Sequence, residues 1–361
     1  MVSKMKFTRP VIDSHWHVHS WADQSGKDFC TAIDEVQETL NLKAINICSI
    51  PIHQDLGPAQ NILAALYKLH NPTAYAHGAL VYPQKPFFAP MPDGMDPLSQ
   101  YQELMEIGFD GIKMLETKPY EQKQYQIHVD DEYFDSFFAA CEKENTHMVW
   151  HVADPATFWD INKIPERFIA RGWFYGDGTY MSYDGMYEQV FNVLDRHPHL
   201  NVTFAHFFFW SEKPEKLEDL FSKYEGVSID ITPGAEMYAD FRENYEYYRD
   251  FFTKHSHRIF FGTDAAFDED WNPDDSINHI KSVYTFAATA ESTQIIVEEC
   301  KGLDLCDEAK DNLLYKNFLR VAGEVPKAIS KPALKRYVAK YKHLITDPKL
   351  LRHVDMAVKD F

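Results

Sequence analysis

Eight short runs of β-branched and apolar residues recur along the chain, and most are followed by a longer stretch with the spacing of an amphipathic helix. The strand-like runs cover residues 11–14, 43–50, 74–81, 111–115, 147–152, 201–205, 227–231 and 258–262. Helix-like stretches include residues 58–70, 96–108, 130–145, 183–197, 213–224 and 239–255. Repeated βα units build parallel sheets, and runs such as KAINICSI are apolar almost throughout, as in strands buried on both faces. The pattern therefore predicts an α/β fold of the (β/α)8 TIM-barrel type.

Two segments depart from this repeat. Residues 155–182, after the fifth strand-like run, form a longer connection than usual and are rich in Trp, Phe, Tyr and Gly. In a barrel such a loop lies over the mouth, so it is either a substrate-binding lid or a structural excursion on the rim. Residues 292–361 are more charged and largely helical in pattern. We expect one domain over residues 1–361, with a barrel core at about 10–323 and a helical C-terminal extension at 324–361, which wraps the barrel or contacts another subunit of a homodimer.

Charge and composition narrow the range of partners. The chain of 361 residues has a formal net charge of −19, which makes binding to nucleic acid or to an anionic membrane surface electrostatically unfavourable. No apolar run approaches a membrane span, and the opening MVSKMKFTRP lacks the hydrophobic segment of a signal peptide. The five cysteines are scattered and read as reduced thiols. We therefore expect a cytoplasmic protein that acts on a small molecule.

The first strand-like run ends in two histidines separated by one residue, in the segment VIDSHWH. Because side chains alternate along an extended chain, His15 and His17 point to the same side, where both imidazoles can reach one ion. Such a pair is common by chance. Its weight comes from three further strand ends that carry ligand-type residues: His151 in MVWHVAD, His206 in VTFAHFF and Asp264 in FFGTDAA. Parallel barrel strands bring these ends to one mouth, so the sequence predicts a metal site there.

The ordered set of motifs resembles the amidohydrolase superfamily, and more closely its second large branch, which includes aminocarboxymuconate semialdehyde decarboxylase-like enzymes. The matching elements are IDSHWH, the fifth-strand His151, the pair Ala205-His206 and FGTDAAF around Asp264. The late segment LDLCDEAKDNLLYKNFLRVAG is also similar to the usual ending of that branch. The likeness spans roughly residues 10 to 323, and its specificity lies in the order of the set.

This resemblance implies a role for each matching residue. His15, His17 and His151 are expected to bind the metal, and Asp264 to complete the site and act as general base. In relatives with one metal, His206 stays off the ion and assists catalysis, whereas in relatives with two metals it is a ligand; we favour one ion. A carboxylated Lys113, in FDGIKMLE, would be the bridge between two ions, but a plain hydrogen bond or salt bridge is an equal alternative.

Further pocket residues are less firmly indicated. His53 follows the second strand-like run and is a candidate for the pocket wall. Trp16 beside the histidine pair, and Arg167 and Trp173 in the insertion, are candidates for contact with an anionic or aromatic substrate. Solvated charges on a lid would explain Arg167 equally well.

Three functions are consistent with this pattern. The leading hypothesis is a metal-dependent hydrolase that attacks a C–N or C–O bond of a cyclic amide, lactone or ester, with one Zn²⁺ or else Mn²⁺, Fe²⁺, Co²⁺ or Ni²⁺. The alternative enzyme is a metal-dependent non-oxidative decarboxylase of a small carboxylated substrate. The third is a barrel that binds a ligand without catalysis, which would not require four ligand-type strand ends.

Overall fold

The structure, a computed structural model, describes residues 6–52, 57–87, 89–234, 236–359 and 361. The strands are β1 Ile12–Val18, β2 Ala44–Cys48, β3 Tyr75–Gly78, β4 Gly111–Thr117, β5 His147–Val152, β6 Val202–Phe204, β7 Val227–Asp230, β8 Ile259–Phe260, β9 Ala265–Phe267, β10 Ser292–Ile295 and β11 Glu298–Lys301. Each of the eight predicted runs overlaps one of the strands β1 to β8.

The main sheet is parallel and its strand order is β8-β7-β6-β5-β4-β3-β2-β1-β9. Its two end strands, β8 and β9, are separated by only four residues of chain, so the sheet returns to its starting point. Between them, the amide of Ser14 in β1 donates to the carbonyl of Phe261 over 3.1 Å. The ninth strand is therefore the continuation of the eighth across the closing seam, and the predicted TIM barrel is confirmed.

The helices are α1 Phe29–Leu40, α2 Ala59–His70, α3 Pro97–Ile107, α4 Pro119–Tyr125, α5 Asp135–Lys143, α6 Glu166–Ile169, α7 Tyr183–Arg196, α8 Pro214–Lys223, α9 Met237–Glu243, α10 Tyr245–Lys254, α11 Pro273–Ala288, α12 Asp307–Asp311, α13 Asn317–Ala322, α14 Lys331–Tyr341 and α15 Pro348–Ala357. Helix α3 illustrates how the sequence sets such bounds. Asp96 caps its first turn by accepting from the amide of Ser99, and the helix ends at Gly108 with φ of 108°. A Cβ there would lie 2.2 Å from the carbonyl oxygen of Ala328, so only glycine fits.

Two predictions about helices need correction. The predicted helix over residues 239–255 is two helices, α9 and α10, which are separated at Asn244. The C-terminal segment does not begin as helix, because β10 and β11 form an antiparallel hairpin before α12. Its alternation of exposed and shielded residues over only four positions was too short to distinguish from helical spacing. None of the described helices is long and apolar enough to cross a membrane.

Two buried neutral histidines, His77 and His147, are linked by hydrogen bonds in the barrel interior below the mouth. His77 Nδ1 lies 2.7 Å from Asn46 Oδ1, and His77 Nε2 lies 2.9 Å from His147 Nδ1. His147 Nε2 lies 2.8 Å from the hydroxyl of Thr203. Asn46 Oδ1 can only accept, so His77 donates from Nδ1. With both rings neutral, His147 Nδ1 then donates to His77 Nε2, and the Thr203 hydroxyl donates to His147 Nε2. Burial lowers the pKa of His147 to about 3 and holds that of His77 well below its ordinary value.

We predict that His147 makes the fold sensitive to acid. In the unfolded chain this imidazole binds a proton near pH 6.5, whereas in the folded chain it resists protonation down to about pH 3. The unfolded state thus binds more protons in that window, and the free energy of unfolding falls as the pH is lowered through it. Urea denaturation of the wild type and of His147→Asn at pH 7, 6 and 5 should show a shallower pH dependence in the variant. Exposed His128→Asn is the control, and equal slopes for His147→Asn and wild type would contradict the prediction.

Candidate metal centre

Strand β1 delivers two imidazoles to the mouth of the barrel. His15 and His17 share one face of the strand, and their ring centroids are 5.0 Å apart. Asp264 lies just after β8, where its amide donates to the carbonyl of His15 over 2.9 Å. Its Oδ1 lies 3.0 Å from His17 Nε2 and 3.8 Å from His15 Nε2. One ligand atom from each of the three side chains therefore lies within 4.8 Å of the other two, close enough to share an ion.

In both rings Nδ1 makes a hydrogen bond within the protein. His15 Nδ1 lies 3.0 Å from Asp230 Oδ2, and His17 Nδ1 lies 2.7 Å from the carbonyl oxygen of Cys48. Both oxygens accept, so each Nδ1 donates a proton and each Nε2 points into the mouth. Burial, and next the charge of Lys113, lower the pKa of His15 to about 4, so this ring is neutral at pH 7.

His151 and His206 form a second pair beside the first. His206 Nδ1 donates to the carbonyl of Thr232 over 3.2 Å, and His151 Nε2 donates to the carbonyl of Ala153 over 2.9 Å. Their remaining nitrogens, His206 Nε2 and His151 Nδ1, face each other at 3.1 Å. Burial lowers the pKa of both rings. Among the described residues, His151 lies outside the group formed by His15, His17 and Asp264.

This donor set fits a divalent cation. When His151 and His206 are neutral, the lone pairs of His151 Nδ1 and His206 Nε2 face each other at 3.1 Å, and beside them His17 Nε2 lies 3.0 Å from Asp264 Oδ1. Two acceptors at about 3 Å repel unless a proton or a cation lies between them. Burial disfavours the proton on His151 and His206, which leaves a cation as the better partner. Imidazole nitrogen and carboxylate oxygen are ligands that Zn²⁺ and its neighbours bind.

The turn that carries His206 is strained. The four residues of His206–Phe209 all have positive φ, between 50° and 59°, and none is glycine. Such residues cost roughly 1–3 kcal/mol each and persist where the surroundings impose them. The hydroxyl of Tyr187 donates to the carbonyl of Phe208 over 2.9 Å, and Asp230 Oδ1 accepts from the amide of His206 over 2.8 Å. Asp230 thus orients both His15 and the His206 turn.

Lys113 lies at the same mouth and is fully buried. Its Nζ is 3.0 Å from His15 Nε2, and burial lowers its pKa. An ammonium that donates to this nitrogen occupies the lone pair an ion would need. A bound ion and this hydrogen bond therefore exclude each other, and Lys113 would have to turn toward another acceptor when the ion binds. The contact with His15 corresponds to the hydrogen-bond alternative for Lys113, and the other alternative, a carboxylated lysine that bridges two ions, stays a hypothesis.

These side chains open into a cavity of about 200 Å³. Its walls are His15, His17, His19, Ile50, Lys113, Leu115, Lys118, His151, Trp173, His206, Asp264 and Ala266. Sequence reasoning missed Asp230 and Lys118. Asp230 could have been found, because it ends β7 as the ligand-type residues end their strands, whereas Lys118 stands outside the strand pattern.

The structure separates the other candidate residues. Trp173 reaches the cavity wall from the insertion, whereas Arg167, in the same segment, is exposed and is not part of the wall. Trp16 is fully buried on the opposite face of β1 from the two histidines and packs against the helices. It is not among the residues that line the cavity, since alternate residues of a strand face opposite sides, and its contact with substrate stays a prediction. His53 lies outside the described residues.

The chain is similar in fold to several solved structures. No family model matches the chain, and no curated protein matches it in sequence. An uncharacterised TIM-barrel protein from Bordetella bronchiseptica has a TM-score of 0.53 at 13% identity, covering 88% of this chain and 100% of the other. A 2,6-dihydroxybenzoate decarboxylase in complex with 2,6-dihydroxybenzoate has 0.53 at 12%, covering 87% and 99%. An amidohydrolase II has 0.52 at 15%, covering 87% and 100%.

At these identities the likeness concerns architecture. The alignments cover 87–88% of this chain. The fold expected from the motif resemblance is thereby confirmed. The chain has the TIM-barrel fold shared by solved structures that are described as an amidohydrolase and as a decarboxylase.

Proposed function

We propose that this chain is a metal-dependent enzyme of the amidohydrolase superfamily that hydrolyses a C–N or C–O bond of a small molecule, such as a cyclic amide, a lactone or an ester. The observation that carries the proposal is that His15 Nε2, His17 Nε2 and Asp264 Oδ1 lie close enough to share an ion. The Nδ1 atoms of the two rings are held by hydrogen bonds to Asp230 and to the carbonyl of Cys48. A cavity of about 200 Å³ is below the roughly 300–1,000 Å³ of pockets for drug-sized ligands, which favours a small substrate.

Three atoms lie close enough to share the ion: His15 Nε2, His17 Nε2 and Asp264 Oδ1. His151 Nδ1, which lies outside that group, is the expected fourth ligand. When bound there, a divalent ion such as Zn²⁺ lowers the pKa of water toward neutrality and polarises a substrate carbonyl. Hydrogen bonds from the other ring nitrogens to Asp230, Cys48 and Ala153 orient the three imidazoles so that these nitrogens can bind an ion.

Asp264 is suited to receive the proton of the attacking water. About 37% of its side chain is exposed toward the cavity, so its second carboxylate oxygen can reach a water or substrate while Oδ1 stays near His17. After the C–N or C–O bond breaks, the same oxygen can return the proton to the leaving nitrogen or oxygen. Asp264 therefore serves as ligand and as general base, the two roles expected for it.

His206 is suited to accept a proton and not to stabilise a negatively charged substrate oxygen. Its Nδ1–H donates to Thr232, so the neutral ring presents a lone pair at Nε2 that can accept a proton but cannot donate to a negative oxygen. Lys113 is the better donor for that purpose, because its Nζ lies in the cavity wall beside His15 and would leave that nitrogen when the ion binds.

We predict one tightly held divalent ion per chain and an activity that depends on it. Elemental analysis of protein purified without added metal should give about one ion, and dialysis against a chelator should remove ion and activity together. The variant His17→Ala should purify with less than about a tenth of the wild-type content, because two of the three convergent ligands cannot replace the third. Two ions per chain would indicate a second site at His151 and His206. Full activity after complete chelation would refute the proposal.

A decarboxylase is the second candidate, because the cavity wall contains two lysines, Lys113 and Lys118, which could seat a substrate carboxylate. The solved structure of 2,6-dihydroxybenzoate decarboxylase makes that hydroxybenzoate a fitting first probe. A panel of hydroxybenzoates, lactones, esters and cyclic amides would separate the candidates by CO₂ release against ring opening or acid release. Ring opening of a lactone with every carboxylated aromatic inert would exclude decarboxylation.

A further inference from the structure

Lys118 and Asp154 form a buried ion pair in the wall of the metal cavity. Lys118 Nζ lies 2.8 Å from Asp154 Oδ1 and 2.9 Å from Oδ2, and both side chains are more than nine-tenths buried. Asp154 also accepts from the hydroxyl of Tyr175 over 2.7 Å and lies 3.4 Å from His151 Nε2. Two hydrogen bonds to the two carboxylate oxygens of Asp154 therefore hold Lys118 Nζ in place at the cavity wall.

The third N–H of this lysine has no oxygen or nitrogen acceptor among the described residues, and the ring of Trp173 lies 5.0 Å from Nζ. Among the residues that the structure describes, Lys118 Nζ finds acceptors only in the two oxygens of Asp154, which leaves its third N–H. An ammonium group this deeply buried normally satisfies all its donors, so the third one calls for an acceptor. Since Lys118 lines the cavity, the substrate is in a position to supply it.

The surroundings of Lys118 define the body of that substrate. The ring of Trp173, from the insertion, lies 5.0 Å from Lys118 Nζ and stacks on Phe168 at an interplanar angle of 11°. Ile50 and Leu115 add apolar surface to the same wall. A flat organic group would contact Trp173 and these side chains, with its charged end at Lys118.

Charge favours an anion at this place. The chain as a whole carries −19, yet the described residues of the cavity wall include two lysines against one carboxylate, that of Asp264. The charge of Asp154 is shared among Lys118, Tyr175 and His151, so it opposes a second carboxylate less than an unpaired aspartate would. A divalent ion at His15, His17 and Asp264 would raise the positive potential further.

We propose that Lys118 and Trp173 are the specificity-determining residues of this site: the Lys118 ammonium binds the carboxylate of a small planar organic acid, and the Trp173 ring packs against its body. The inference rests on the proposed function, because it places the reacting bond of this acid next to His15, His17 and Asp264. Arg167 and Arg171 are exposed and do not line the cavity, so neither is expected to bind this carboxylate.

The test is a pair of probes that differ only in charge, benzoate and benzamide, titrated into the metal-loaded protein by calorimetry. One charge-assisted hydrogen bond is worth about 1.5–3 kcal/mol, so the wild type should bind benzoate at least about tenfold more tightly than benzamide. In Lys118→Gln, which can still donate to Asp154, this preference should fall below about threefold, and Lys118→Arg should keep most of it. Trp173→Leu should weaken both probes alike.

Lys123→Gln is the matched control, since Lys123 contacts the insertion at Tyr180 without lining the cavity. Equal binding of benzoate and benzamide to the wild type would overturn the inference, and so would a preference that survives in Lys118→Gln. Metal content, measured on every sample, separates this from the proposed function. A loaded ion with no preference tied to Lys118 refutes the inference alone, whereas failure to bind metal refutes the proposed function.

Discussion

The Asp264→Asn variant is expected to fold normally and to lose about 10²–10⁴-fold in kcat/KM toward a lactone, ester or amide that the wild type hydrolyses. The substitution removes the negative charge that faces His17 Nε2. Among the described residues of the cavity wall, it also removes the one carboxylate that could receive a proton from water. It also weakens one of the three convergent ligands, so metal affinity should fall as well.

Asparagine is the suitable replacement at this position. Asp264 has φ of 58°, in the left-handed region that asparagine tolerates better than alanine does. Its amide also donates to the carbonyl of His15, so a change of backbone conformation would move a metal ligand. The Asn variant keeps shape and backbone, and its defect then reports the lost charge.

Two readouts separate the two roles of this carboxylate. Excess Zn²⁺ should restore metal occupancy in Asp264→Asn without restoring activity, because an amide cannot accept the proton. The control is Asp268→Asn, an exposed aspartate on the same connection that does not line the cavity, and it should match the wild type. Full activity of the metal-saturated Asp264→Asn variant would show that another group receives the proton.

The barrel was predictable from sequence because its signal is local and repeated. Each buried strand is a short apolar run, and the runs for β1 and β2 remain visible without any tertiary information. The short strand β9 escaped, since three residues that pair only across the closing seam have no pattern of their own. The hairpin of β10 and β11 escaped for a similar reason.

The candidate site was predictable only where its residues end strands. His15, His17 and Asp264 share one ion-sized group because alternation and parallel strand ends place them there. The orientation of His151 could not be foreseen, since it depends on the carbonyl of Ala153, two residues away, in a positive-φ conformation. Lys118 was missed because its importance arises from Asp154 and Trp173, which only the folded insertion brings to it.

Away from the site, the largest effect on stability is expected at Lys68, which is buried opposite Asp110. The two side chains are 1% and 0% exposed, and Lys68 Nζ lies 2.5 Å from Asp110 Oδ2 and 2.7 Å from the carbonyl of Gly108. Asp110 also accepts from the amides of Ala76 and Lys327, so it joins β3 to the start of the C-terminal extension.

Burial penalises both charges of this pair. It lowers the pKa of Lys68 and raises that of Asp110, and their mutual attraction opposes both changes. Removing one partner leaves the other charge buried without compensation, which typically costs about 3–5 kcal/mol. We therefore expect Lys68→Met to lower the free energy of unfolding by about that amount, although methionine fills most of the volume.

Urea denaturation followed by circular dichroism would measure this loss, with Lys342→Met as the matched control. Lys342 pairs with Asp355 at the surface, where the two side chains are 44% and 47% exposed, and such pairs are worth at most about 1 kcal/mol. The double variant Lys68→Met, Asp110→Asn should recover part of the loss, because it removes the orphaned charge while an amide oxygen still accepts from one backbone amide. A loss in Lys68→Met no larger than in Lys342→Met would mean that water or a neutral Asp110 compensates for the missing ammonium, and the contribution assigned to the buried pair would be wrong.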